Sequence, residues 1–413
     1  MPYSVPRFRP GPAVGFLSIC LICGCTSTRS TTTALHTPVE HASEEIPEEL
    51  LLDVGIARFE MGDLDEKEIE KQGTSETIRN AESHFIPYHL KSTLQQTGHW
   101  GAVRVVPDQA ASVDLLINGT IVKSNGEKLK LRIRTVDAAG DVWLEKTYEM
   151  NIDERSYRGA VIGQKDVYQP VYNRIANDLA ALRSNVGQEE TNRIRTISKM
   201  RFAADLAPDP FETYLEKDGD RYRLSRLPAD DDTMIARLMQ IRDREYMYVD
   251  TLDEYYERFY QDMWPEYENW RKFNQTEIEA LREIKRSATQ RIVGGVLLIA
   301  AAVALEVTEV ENVETLRDVL VLGGGAVVVD GIDVSKQGAI HRAGIEELSE
   351  SFSADLDTIV VEFEGKQVEL TGTTQEQFRQ WRDLLRKIYQ EETGFDSDVT
   401  EQREVPNTNV AMP

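Results

Sequence analysis

The chain has 413 residues, 41% of them hydrophobic, with 47 basic against 71 acidic side chains and a formal net charge of −24. That length allows two or three globular domains with apolar cores, and the charge excludes phosphate-rich nucleic acid as a partner, because no basic stripe with interleaved aromatics offsets it. The three cysteines are Cys20, Cys23 and Cys25, so the 388 residues that follow carry no thiol, which excludes a disulfide framework and any cysteine-built zinc site there.

At the amino terminus, Arg7 and Arg9 precede an uncharged run of 11 residues, Ala13 to Cys23. A bilayer-spanning helix needs about 20 residues, so this run fits the core of an export signal instead. The stretch Leu21-Ile22-Cys23-Gly24-Cys25 resembles the bacterial lipobox, with Cys23 standing where that motif has a small residue. The resemblance implies a signal peptide over residues 1–24, acyl chains on Cys25 and, since Thr26 replaces the inner-membrane retention Asp, an outer-membrane lipoprotein facing the periplasm. An ordinary secretory signal cut near Gly24 is the alternative. Loss of Arg7 and Arg9 takes the formal charge to −26. Such acidity reads as a solvated surface or as a docking surface for a basic partner.

Residues 25–49 are rich in Ser, Thr, Pro and acidic residues without apolar periodicity, and read as the lipidated cysteine and a flexible tether. A coil of this length has an r.m.s. span of roughly 25 Å. Residues 50–152 read as an α/β sandwich domain. It opens with the apolar run Leu50 to Phe59, continues through a helix from about Ser75 to Gln96 with Ile78, Ala81, Phe85, Leu90 and Leu94 on one face, and ends in four strands. The strands are Ala102 to Val106, Val113 to Lys123, Lys128 to Val136 and Val142 to Met150. Asn125-Gly126 and Ala139-Gly140 supply hairpin turns.

Three segments of this domain carry a resemblance: Trp100-Gly101-Ala102-Val103-Arg104-Val105-Val106, Val113-Asp114-Leu115-Leu116-Ile117-Asn118-Gly119, and Asp137-Ala138-Ala139-Gly140-Asp141-Val142-Trp143. Together with the preceding helix they resemble the periplasmic domains of the curli-secretion lipoproteins, the TolB amino-terminal domain and the lipoprotein activators of penicillin-binding proteins. That resemblance covers about a quarter of the chain. It implies binding to envelope proteins, or assembly into envelope complexes, in place of catalysis; the membrane-inserting hairpins of the curli pore have no counterpart here.

Residues 153–275 read as helical and aromatic-rich. Leu252, Tyr256, Phe259, Met263, Tyr267, Trp270 and Phe273 recur at three- and four-residue steps, as a packed stripe or as an exposed face for a peptide or glycan strand. Pro265 predicts a kink or break in it, and Asp218-Gly219 a small hairpin before it. Thr276, with Glu279 three residues on, predicts a fresh helix cap and the start of a Gly/Ala-rich helical hairpin over 276–356. Its apolar runs are Ile292 to Leu305 and Val319 to Val329, and small residues recur every seven positions at Ala288, Gly295 and Ala302 and again at Gly324, Gly331 and Gly338. This is similar to the glycine-zipper segments of envelope proteins, where flat strips let backbones approach. The hairpin is buried in protein, within the chain or in a homo-oligomer, or enters a membrane. Residues 357–393 predict a β-hairpin around Gly365 and a helix with Phe378, Trp381, Leu385 and Ile388 on one face, and 394–413 a disordered tail.

The whole is therefore expected to be α+β, an amino-terminal α/β sandwich followed by a mainly helical region. No catalytic, cofactor-binding or metal-ligating set stands out. Leu322 to Val328 lacks the third glycine of a dinucleotide loop, His36 and Glu40-His41 have the wrong spacing for a zinc protease, and His84 and His89 point about 140° apart on a helix. The residue singled out is Cys25, for lipidation. The function expected is a non-enzymatic adaptor or scaffold in the cell envelope, with a membrane-active or channel-forming assembly subunit as the alternative.

Overall fold

A computed structural model describes residues 29–33, 36–65, 68–69, 72, 74–107, 113–153, 156–157, 166–227, 229, 232–304, 343–347, 359–363 and 366–393. Residues 1–24, expected to be a signal peptide, Cys25, the second apolar run with Gly324, Gly331 and Gly338, and residues 394–413 lie outside the described residues.

The fold is α+β. Seven strands form one mixed sheet: β1 (Arg29–Thr32), β2 (Val54–Ala57), β3 (Glu60–Met61), β4 (Val103–Val106), β5 (Leu115–Ser124), β6 (Lys128–Asp137) and β7 (Val142–Asn151). Their order is β1-β7-β6-β5-β2-β4, with β3 pairing β5. As expected, β5, β6 and β7 form an antiparallel meander. By contrast β2 runs parallel to both neighbours, which explains why all four of its residues are buried: a parallel strand is covered on both faces. The turn between β6 and β7 is built by Asp137, whose carboxylate accepts from the amides of Ala139 (2.9 Å) and Asp141 (3.0 Å) and from Trp143 Nε1 (2.9 Å).

Helix α1 (Glu76–Gln96) is capped by Ser75, whose hydroxyl accepts from the Ile78 amide. It carries Pro87 mid-course without ending. Proline lacks the N–H that would bond the carbonyl of Ser83, and that carbonyl accepts instead from the backbone N–H of Phe59 (3.1 Å), beyond β2. The same link seats the Phe59 ring on Gly119 of β5, where a Cβ would stand 2.4 Å from it. Helix α2 (Gln169–Arg183) packs beside α1 and over β7. Helix α3 (Gln188–Leu206), the single turn α4 (Pro208–Phe211) and the hairpin of β8 (Leu215–Asp218) and β9 (Arg221–Leu224) follow. Gly219 turns that hairpin with φ +61°, as its Asp-Gly pair predicts.

Helix α5 (Thr233–Ala304) is 72 residues long. Its length corrects two expectations. Pro265 lies inside it, so the helix does not break there, and residue 276 is not a helix start: the Thr276 hydroxyl bonds the Lys272 carbonyl at 3.0 Å, one turn back. A composition change marks a change of surroundings here, not an end of the helix. The chain closes with the hairpin of β10 (Ile359–Phe363) and β11 (Lys366–Leu370) and with α6 (Thr374–Thr393).

Two cores hold these elements, and both cross the expected domain boundaries. One joins the sheet's Leu115, Ile117 and Ile133 to Tyr172 and Ile175 of α2 and to Met263 and Trp270 of α5, so the boundary at 152/153 is not a core boundary. The second joins Val105 of β4 to Phe202 of α3, Leu252 of α5 and Trp381 of α6, so residues 357–393 are no separate unit either. Ile345, from the segment assigned to the helical hairpin, is fully buried in the first core. The aromatic stripe is packed: Leu252, Tyr256, Phe259, Met263, Tyr267 and Trp270 are all buried.

The flexible tether is corrected as well. Arg29–Thr32 pairs in parallel with Lys146–Glu149 of β7, and the chain beyond is strapped to the domain by its main chain. Asn173 Nδ2 donates to the Thr37 carbonyl (2.8 Å), Asn177 Nδ2 to that of Pro38 (2.9 Å), the Glu40 amide to Asn177 Oδ1 (2.9 Å), and the Ala42 amide to the Thr97 carbonyl (2.7 Å). Backbone-held segments need no apolar periodicity, which is why composition alone reads this one as a coil.

Gly140 has φ +85°, and a Cβ there would stand 2.1 Å from the Asp220 carbonyl of the β8–β9 turn. Gly140→Val should therefore cost about 1 to 3 kcal/mol. Urea unfolding of the chain from residue 26 onward checks it; an unchanged midpoint would contradict the tight seating of the hairpin on this turn.

Candidate functional site

The site with the densest chemistry is where α5 crosses α1 and the β5–β6 turn. Phe85 of α1 stacks on Tyr260 at 4.6 Å and on Trp264 at 5.8 Å, and meets Tyr267 at 4.7 Å. One turn on, His89 Nδ1 lies 2.6 Å from the Tyr260 hydroxyl and Nε2 lies 2.8 Å from Gln169 Oε1. An amide oxygen only accepts, so Nε2 carries the proton and Nδ1 accepts from the tyrosine. Burial pushes the His89 pKa down and keeps the ring neutral. His84 is likewise driven down, to about 3, by burial and by Arg58. His89 is thus a packed hydrogen-bonding group and His84 a packed ring stacked on Tyr256 at 5.9 Å, and among the described residues no group of three His, Cys, Asp or Glu is placed to hold a metal ion.

Deeper in, Arg271 and Asp166 form an ion pair in which both side chains are at most 1% exposed. Arg271 Nη1 donates to Oδ1 (3.0 Å) and Oδ2 (3.2 Å), and the Tyr168 amide adds a third bond to Oδ1 (2.7 Å). Burial by itself would raise the Asp166 pKa, yet the charge of Arg271 holds it below the usual carboxylate range. The guanidinium also lies 4.3 Å from the Tyr267 ring centroid. Beside it, Glu82 Oε1 accepts from the Tyr267 hydroxyl at 2.5 Å and from the Ser124 hydroxyl, while Oε2, Arg271 Nε and Arg271 Nη2 have no partner among the described residues. Burial raises the Glu82 pKa to about 7.

The β5–β6 turn receives the helix directly. Gly126 has φ +76°, and a Cβ there would lie 2.1 Å from the Arg271 carbonyl, so the helix backbone rests on a position only glycine fits. Asn274 Nδ2 donates to the carbonyls of Asn125 and Gln72, both at 2.9 Å, and Arg282 Nη2 bonds Glu127 Oε1 at 2.6 Å. From Arg282 the helix continues 22 residues to Ala304, about 33 Å at 1.5 Å per residue. Glu82 and Tyr267 are enclosed, so the arrangement fastens a helix; it does not present an acid or base to substrate.

Cys25 lies outside the described residues, four positions before β1. The residues that form the fastening, Glu82, Asp166 and Arg271, are missing from the sequence reading. Glu82 had a signal: it shares a helix face with Ile78 and Ile86, where a charged residue is out of place. Asp166 had none, because its partner lies 105 residues away. No family model, curated protein or solved structure matches the chain.

Breaking a buried pair from one side strands the other charge, so Asp166→Ala or Arg271→Met alone should cost about 3 to 5 kcal/mol. The double replacement Asp166→Leu with Arg271→Met should recover much of that loss. Guanidinium unfolding of the four proteins decides it; additive losses would mean that the charges do not act as a pair.

The raised Glu82 pKa gives a pH signature. Between its ordinary 4.5 and about 7 the folded chain keeps a proton that the unfolded chain has lost, so stability is greatest below that window and falls as pH rises through it. The full contribution is on the order of 3 kcal/mol. Glu245, raised to about 7 by burial on α5, acts in the same window. Glu82→Gln should accordingly remove part of the fall in Tm between about pH 5 and about pH 7.5, and an unchanged slope would show that Glu82 ionises normally.

Proposed function

We propose that this chain is a non-enzymatic outer-membrane lipoprotein, anchored through Cys25 on the periplasmic side, that acts as an adaptor or scaffold for other envelope proteins. The observation that carries this reading is α5: it is fastened to the sheet domain as far as Arg282, and its last 22 residues run on past the β5–β6 turn. A helix latched by buried polar groups displays its far end in a defined place, which is what a scaffold requires. The lipobox-like Cys25 and the resemblance of residues 50–152 to envelope-protein-binding domains support the address and the class of partner.

A second reading rests on the same helix. The uncharged stretch from Ile292 is carried about 15 to 33 Å beyond Arg282, where it would serve a membrane-active or channel-forming homo-oligomer. Among the described residues no helix is long and apolar enough to cross a membrane.

Two measurements separate these readings and test the anchor. Cys25→Ala should leave the protein unprocessed or free in the periplasm; retention in the outer-membrane fraction after a carbonate wash would overturn lipid anchoring. Residues 26–413 made without the signal should sediment as one soluble species without detergent. Insolubility relieved by detergent would replace the scaffold reading with the membrane-active one.

A further inference from the structure

Cys25 and Arg29 are separated by four residues, which span at most about 14 Å when fully extended. Because β1 begins beside Lys146 and runs parallel to β7, the chain enters the sheet from the end where β7 starts, at Val142. An acyl anchor on Cys25 therefore lies close to that end of the β1–β7 edge. The domain does not swing on a long tether.

The outward face of the sheet next to this edge is unlike the rest of the molecule. Strand β6 alternates strictly, with Leu129, Leu131 and Ile133 buried and Lys128, Lys130, Arg132 and Arg134 on the opposite side, Arg132 and Arg134 being exposed and the two lysines half-buried. Two carboxylates of β7 offset them: Glu149 pairs with Lys128 and Lys130, and Glu145 with Arg134 at 4.0 Å. Arg132 has no acidic partner among the described residues. In a chain where acidic residues outnumber basic ones by 71 to 47, four cations on one strand form a local reversal of charge. Val142, one of three large hydrophobic side chains exposed among the described residues, at 46%, sits at the anchor end of the same sheet.

We propose that this face, Lys128, Lys130, Arg132 and Arg134 with Val142 at its margin, lies against the anionic phospholipid headgroups of the membrane that holds the Cys25 acyl chains. The inference rests on the lipid-anchor reading. Screening limits each charge to a range of about 8 Å at physiological salt, so the charges on the apposed face govern the contact while the acidic remainder is repelled into the aqueous side. The lipid thus fixes the position of the domain and the cationic strand fixes which way it faces.

The absence of any cysteine after Cys25 allows a direct test. The acylated chain carrying Val142→Cys is labelled with a fluorophore and placed on vesicles of phosphatidylcholine and phosphatidylglycerol with a headgroup quencher. Met247→Cys on α5 serves as the comparison; Met247 is 62% exposed and its neighbour Tyr246 packs on Arg104 of β4, at the opposite sheet edge and four strand spacings, about 19 Å, from the β7 strand that carries Val142. Quenching at 142 should exceed that at 247 by about twofold or more, and Arg132→Glu with Arg134→Glu should abolish the difference. Equal quenching at the two positions, or a difference that survives the charge reversal, would overturn the orientation while leaving the anchor intact. If the acylated protein does not float with the vesicles, the anchor reading falls and the orientation with it.

Discussion

Arg271 brings a positive charge to a place that water does not reach, and the arrangement of the protein follows from what is needed to keep it there. Asp166 neutralises it, the Tyr267 ring faces it, and Gly126 removes the side chain that would keep its backbone away. Each of these comes from a different stretch of sequence: the loop before α2, α5 itself and the β5–β6 turn. A buried pair of this kind is a weak source of net stability, since desolvation cancels most of the attraction, but it is costly to mismatch. It therefore selects one placement of α5 on the domain over others in which the same aromatic stripe is equally dry.

Local patterns made much of the fold legible. The β5–β6–β7 meander follows from period-two alternation and two glycine turns, and α6 from Phe378, Trp381, Leu385 and Ile388 at helical spacing. The core role of the aromatic stripe is readable too, since six of its residues point one way along one helix. What could not be read depends on long-range pairing. Strand β1 has four residues, none of them large and apolar, and exists because β7 offers it an edge. The boundaries at 152, 275 and 356 rest on composition, whereas the cores are assembled from segments as much as 301 residues apart, as Tyr88 and Tyr389 are.

The candidate site was less legible than the fold for the same reason. Sequence periodicity marks which face of α5 is buried but not that Trp270 and Arg271 are both inside, one as a hydrophobe and one as an ion. The histidines drew attention as possible ligands and prove to be spacers between aromatic rings, with His89 bridging Tyr260 to Gln169. Backbone contacts, such as those that hold residues 37–42, leave no trace in side-chain patterns.

Pro87 has a consequence for how movement passes through the molecule. By freeing the Ser83 carbonyl for the Phe59 amide, it makes one hydrogen bond that ties the middle of the helix to the short link between β2 and β3. Sliding α1 along its axis by even one residue would bring a different carbonyl opposite Phe59, one already engaged within the helix, and leave two buried polar groups unmatched. The helix is thus pegged axially at its middle, while its ends are held by Ser75, which bonds Glu346, and by Thr97, whose carbonyl bonds the Ala42 amide. Since α5 takes its seat on α1 through Phe85, Glu82 and His89, all within five residues of Pro87, a push on the long helix reaches the sheet through that point and not as a shift in register.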